Sequence, residues 1–108
     1  MSPELAELEL VVLLAVAALR DEAYGLAVRR EVEKVRRREY SVGAVYTTLK
    51  RLEEKRFVES WMTEPLPVRG GRARRQFRVS AAGRKAMTEA RRQSSRAWAT
   101  MGFGLKPL

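Results

Sequence analysis

The chain has 108 residues, one domain's worth, with 22 Lys and Arg against 13 Asp and Glu and neither Cys nor His. The missing Cys and His exclude disulfides, Cys/His zinc or iron sites, thiol nucleophiles and every His-dependent triad, and they leave the redox compartment undetermined by cysteine. The formal net charge of +9 is uneven: basic and acidic residues number 7 and 8 in 1–40, 4 and 4 in 41–64, and 11 and 1 in 65–108. The excess lies in the last third and is interleaved with Phe77, Val79, Met87 and Trp98, which a solvated tail would lack, so nucleic acid is the leading partner.

Ser2 and Pro3 open a first predicted helix that is apolar on nearly every side from Leu10 to Leu19 and therefore needs cover from two directions. The apolar run is too short to cross a bilayer and is preceded by Glu4, Glu7 and Glu9, so the chain reads as soluble and untargeted. Arg20, Asp21 and Glu22 break the run. A second helix over Ala23–Arg37 buries Tyr24, Val28, Val32 and Val35 and turns Arg29, Arg30, Glu33, Lys34 and Arg37 to water. Ser41 caps a third helix by accepting from the amide of Gly43 or Ala44. Its inner wall is Val42, Val45, Leu49 and Leu52, and its other face is Gly43, Tyr46, Thr47 and Lys50.

After Arg56 the period changes to two. Phe57–Thr63 and Ala73–Val79 read as the strands of a hairpin around a loop over Glu64–Arg72 that holds Pro65, Pro67, Gly70 and Gly71. Ser80 caps a fourth helix to about Met101, where Gly102, Gly104 and Pro107 stop it. One side of this helix carries Ala86, Met87, Ala90, Ala97, Trp98 and Met101, and the other Arg84, Lys85, Arg91, Arg92 and Arg96. The fold class is α+β, mostly α: a winged helix-turn-helix of three helices and a β-hairpin wing, followed by a C-terminal helix. Residues 1–80 make the DNA-binding unit with its wing, 81–101 the dimerisation helix of the same domain, and 102–108 a short tail.

In such a fold the second helix of the pair enters the major groove and reads with its N-terminal residues. Gly43 allows close backbone approach, Tyr46 and Thr47 offer hydroxyls and Lys50 offers charge, with Ser41 counted among the DNA-binding residues, while Glu54 sits at the far end of the face. A solvated surface is the bland alternative for these residue types. Arg69, Arg72, Arg74 and Arg75 follow closely in the hairpin loop and flank, and their one-signed charge exceeds what solubility requires.

The runs "AYGLAVRREVEK", "YSVGAVYTTLKRLEEKRFVES" and "GGRARRQFRVSAAGRKAM" together resemble the PadR family of bacterial transcriptional regulators over roughly residues 10–90. That family pairs Tyr-Gly at the second helix with Gly-x-x-Tyr and a Leu-Lys-Arg-Leu-Glu block, then an Arg-rich hairpin and a Ser/Thr-x-x-Gly helix start. The resemblance implies a cytoplasmic homodimeric repressor, with Tyr24 and Gly25 structural and Gly43 and Tyr46 on the DNA-facing helix. Lys50 and Arg51 follow there, and Arg74 and Arg75 belong to the wing. It further implies dimerisation through the first and last helices, here Leu5, Leu8, Val12, Met87, Ala90, Ala97, Trp98 and Met101. A small aromatic effector is common in the family, and Trp98 is the ligand residue that would stack on it. No cofactor or metal is expected.

Two departures from the pattern stand out. Arg56 occupies a position where the family often has Gly, so a left-handed conformation there would cost roughly 1 kcal/mol. The chain also runs only to "GFGLKPL" after Met101, which places it with the small, single-helix branch. The competing functions are a nonspecific or architectural nucleic-acid binder and a winged helix used for protein interaction. An enzyme is the least expected, since no His or Cys is available for general-base or nucleophilic work.

Overall fold

The computed structural model describes residues 5–64 and 73–102. Its elements run α1 (Glu7–Leu19), a 3-10 turn (Arg20–Glu22), α2 (Gly25–Arg36), α3 (Val42–Glu54), β1 (Val58–Met62), β2 (Arg75–Val79) and α4 (Ala81–Met101). The order is the one the sequence predicts, with local differences at the edges. Ser2 and Pro3 lie outside the described residues, and Leu5 and Ala6 precede the helix, so α1 starts at Glu7 and not at Pro3. The cause is Glu9, whose Oε1 accepts from the Ala6 amide at 2.8 Å and satisfies one of the first turn's orphan donors. The second helix starts at Gly25, two residues later than predicted, because Tyr24 is extended and bridges to Gln76 while the Phe77 amide donates to the Ala23 carbonyl at 2.9 Å.

Helix α1 is the centre of the fold and packs against α2, α3, β2 and α4. Val12, Leu13, Ala15 and Val16 on α1 meet Val28 and Val32 of α2, Val45, Leu49 and Leu52 of α3, and Phe57, Val58, Phe77 and Val79 around the hairpin. Fully burying side chains of this kind stabilises the fold by about 1.5–3 kcal/mol each. Three predicted core residues are not in it, the first being Tyr24, which is half-buried with the Arg74 guanidinium over its ring. Val35 is 63% exposed because the inward place in the last turn of α2 goes to Arg36, which is half-buried and pairs with Glu7 of α1 at 3.3 Å, and Val42 is 48% exposed at the first position of α3. The inward place on α3 goes to Thr48, which is buried and donates from Oγ1 to the Ala44 carbonyl at 2.9 Å. Arg29 and Glu33, predicted to face water, are half-buried. The Glu33 carboxylate accepts from the Tyr40 amide at 2.7 Å and so holds the turn between α2 and α3.

The hairpin is antiparallel in the register Val58↔Val79 through Met62↔Arg75, and it joins α3 through a tight exit. Arg56 is left-handed, at φ 64°. Its amide donates to the Glu53 carbonyl and the Phe57 amide to the Leu52 carbonyl, both at 2.9 Å. That is the Schellman pattern, with an arginine at the position glycine prefers. Ser80 then ties α4 to the same corner. Its Oγ accepts from the Gly83 amide at 3.0 Å and donates to the Arg56 carbonyl at 2.6 Å. A Cβ on Gly83 would overlap the Phe57 carbonyl oxygen, so the Ser-x-x-Gly spacing closes the α3–β1–α4 joint by capping and close backbone approach together.

Candidate nucleic-acid interface

The outer face of α3 presents Gly43, Tyr46, Thr47, Lys50 and Arg51, all exposed, behind the exposed N-cap Ser41. Ser41 Oγ accepts from the Ala44 amide at 3.0 Å, the second of the two partners predicted for it. Gly43 has no neighbour within 4 Å of the place its Cβ would take. Nothing inside the protein needs a glycine there, while its absent side chain leaves the start of α3 open to close approach from outside.

Tyr46 differs from the others. It is 43% exposed, and a Cβ on Gly25 would overlap its hydroxyl and ring edge. The tyrosine therefore lies across the first turn of α2 and sets the distance between the two helices of the pair, and Gly25 is the residue that admits it. The pairing of the Tyr-Gly and Gly-x-x-Tyr motifs has a steric explanation in this contact.

Arg51 lies along the α3 flank with its charge acting on Glu9, and Lys55 at the α3 exit completes a buried contact. Both Glu9 carboxylate oxygens accept from Lys55 Nζ at 2.8 Å. Burial alone would raise the Glu9 pKa. The hydrogen bonds from Lys55 and the Ala6 amide, with the charges of Lys55 and Arg51, outweigh it and hold the carboxyl below its ordinary value. Glu9 thus both caps α1 and pins it to α3, a role the sequence does not signal because its partner is 46 residues away.

On the wing, Arg75 is exposed and donates from Nη1 to Ser60 Oγ at 2.9 Å, and Ser60 in turn donates to Glu53 on α3. Arg74 is exposed with its guanidinium 5.1 Å from the Tyr24 ring centroid. Thr63 closes the described end of the hairpin, its amide donating to the Arg74 carbonyl at 2.7 Å. The other two predicted wing arginines, Arg69 and Arg72, lie outside the described residues. The structure therefore brings α3 and the base of the wing together through the Arg75–Ser60–Glu53 chain.

A groove of about 740 Å³ runs between α1 and α4, lined among others by Leu10, Leu14, Met87, Ala90, Ser94 and Trp98. Of the residues predicted for dimerisation, Met87, Ala90 and Ala97 are half-buried, and Trp98 and Met101 are largely exposed. Leu5 and Leu8 are half-buried against the core and Val12 has no exposed surface. The open apolar surface of α1 is instead Leu14, 45% exposed, beside Leu10. In a helix apolar all round, periodicity does not say which side the rest of the chain leaves uncovered.

Among the described residues no helix is long and apolar enough to cross a membrane. No curated protein matches the chain in sequence. Solved structures do match in fold. A PadR-like transcription factor from Bacteroides fragilis aligns with a TM-score of 0.75 at 18% identity over 91% of this chain and 89% of its own. A PadR family transcription regulator from Clostridium difficile R20291 gives 0.72 at 19% identity, covering 94% of this chain and all of its own (100%). A PadR-like transcriptional regulator from Bacillus cereus gives 0.71 at 19% identity, covering 94% and 93%. The profile of the transcriptional regulator PadR-like family matches residues 13–89, which span α1 from Leu13, α2, α3, the hairpin and the first turns of α4. The chain therefore belongs to the PadR-like family of transcriptional regulators, which is a family of winged-helix DNA-binding proteins and not of enzymes.

Proposed function

We propose that the chain is a homodimeric, sequence-specific repressor that places one α3 in each half-site of a pseudo-palindromic operator, about one helical turn apart. In this reading residues 1–80 are the DNA-binding unit, 81–101 the dimerisation helix and 102–108 a tail. The observation that carries it is the outer face of α3, where Gly43, Thr47 and Lys50 are exposed with no structural duty that explains them. Thr47 and Lys50 contact base edges, Ser41 and Gly43 admit the backbone, and Arg51, Arg74 and Arg75, with Arg69 and Arg72 of the loop, meet phosphates. Tyr46 contributes chiefly by holding α3 against Gly25.

The same reading assigns the partner protomer to the α1–α4 side, where Leu14, Trp98 and Met101 leave apolar surface open, and a small aromatic effector to the groove against Trp98. Sequencing the fragments that the purified protein retains from random DNA defines the operator. Thr47→Ala and Lys50→Ala then narrow the gap between operator and random DNA by about 1–3 kcal/mol for each base edge that is no longer read. Arg75→Ala weakens both alike and flattens the salt dependence by about one unit. Operator preference unchanged in a Thr47→Ala/Lys50→Ala variant would remove α3 as the reading helix, and equal affinity for all fragments would favour the architectural function.

A further inference from the structure

We propose that the outward face of α4 is a second surface for double-stranded DNA, which holds the phosphate backbone of another duplex segment without reading its sequence. Arg84, Lys85, Arg91, Arg92 and Arg96 are all exposed, and among the described residues none forms an ion pair. At 100° per residue Lys85, Arg92 and Arg96 fall within one narrow arc opposite Met87, Ala90, Trp98 and Met101, while Arg84 and Arg91 stand at its edge beside Met87 and Trp98. The only carboxylate on α4 is Glu89, which accepts from Gln93 at 3.5 Å. Helix α2 offers an internal contrast: exposed Arg30 and Lys34 stand with half-buried Glu31 and with the Arg29–Glu33 pair at 3.6 Å. A surface selected only for solubility would look like α2.

The placement separates this face from the α3 face. Helix α1 packs against both α3 and α4, and the apolar side of α4 carrying Met87 and Trp98 borders the groove on α1. Lys85, Arg92 and Arg96 on the far side of α4 therefore point away from α1, and from any duplex seated on α3, whereas Arg84 and Arg91 border the grooves toward α1. Arg84 to Arg96 span about 18 Å of helix. Duplex DNA carries about one charge per 1.7 Å, so that length faces on the order of ten phosphates. The chemistry favours a duplex over other polyanions. Thr88, Glu89 and Ala99 are the neighbours of Lys85, Arg92 and Arg96 on this arc, so these three cations surround no aromatic ring on which single-stranded bases would stack and no apolar centre of the kind protein interfaces use.

The test uses the full chain, with a duplex of random sequence immobilised on beads and a second, fluorescent duplex in solution. The wild-type protein bridges the two. Lys85→Gln/Arg92→Gln/Arg96→Gln, whose positions avoid the apolar groove, should lower capture of the second duplex at least tenfold and flatten its salt slope by about 2.7 units. Circular dichroism and sedimentation mass should be unchanged, and gel shifts of a single duplex should remain through α3. Capture by this variant equal to wild type overturns the proposal, as does capture abolished by single-stranded RNA at concentrations where competing duplex leaves it intact. A Lys50→Ala/Arg75→Ala variant separates the two faces: a gel shift unaltered by it counts against the α3 reading and leaves the α4 surface standing.

Discussion

Gly43 and Arg56 carry opposite information about what the chain tolerates. Gly43 sits in the first turn of an exposed helix with open space around it, where alanine would be better by about 0.5–1 kcal/mol. Gly43→Ala should therefore raise the melting temperature while weakening operator binding, because the added methyl meets the DNA backbone and nothing else. Equal or tighter binding by the variant would show that the glycine has no part in the approach. Arg56 is left-handed in a Schellman exit whose hydrogen bonds are all backbone. Arg56→Gly keeps those bonds and relieves the Cβ clash, so it should stabilise the protein by about 1 kcal/mol in urea titration. A loss of stability would mean that the arginine side chain contributes more than its backbone strain costs.

Between elements, a buried carboxylate adds a polar contact to the apolar packing of α1 on α3. With Lys55 removed, Glu9 stays buried and keeps only its bond from Ala6 and the distant charge of Arg51. Lys55→Met should therefore cost on the order of 2 kcal/mol. The sign of the pH dependence follows from the lowered Glu9 pKa. The unfolded chain takes up this proton near the ordinary glutamate value of about 4.3, before the folded chain does. The stabilisation is thus present above that value and lost as pH falls through the folded pKa. Denaturant titrations from neutral pH downward should show Glu9→Gln with a shallower acid loss than wild type, and identical acid limbs would exclude Glu9 as a source of it.

At the scale of the molecule, the shape is elongated, 58 × 31 × 21 Å. Helix α4 continues past the core, and from Arg91 onward only Ala97 is not exposed within it. Trp98, 61% exposed, is a large ring left on the surface of a lone protomer. In the dimeric reading Trp98→Ala removes a central part of the buried seam, so sedimentation should show the mass shifting toward monomer by at least tenfold in dissociation constant. An unchanged dimer mass would move the interface elsewhere. In the two proposed readings, Lys85, Arg92 and Arg96 on the outer arc of α4 and the apolar surface on its inner arc serve separate tasks.

The elements, their order and the exposure of Gly43, Thr47 and Lys50 on α3 were legible in the sequence, because local physics sets them. The period of Val45, Leu49 and Leu52 makes α3, Ser41 and Ser80 cap by the spacing of their own amides, and the alternation from Val58 and up to Val79 makes a hairpin. What the sequence left open depends on neighbours distant along the chain. The tertiary fold put Val35 and Val42 at the surface, turned Glu9 from a flanking acid into the pin on Lys55, and laid Tyr46 across Gly25. It also left Leu14, and not Val12, as the open side of α1. A helix apolar on every side carries no instruction about which side is covered, and a glycine does not announce what occupies its missing Cβ. Those choices are made only when α2, α3, the hairpin and α4 close around α1 and exclude one another's volume.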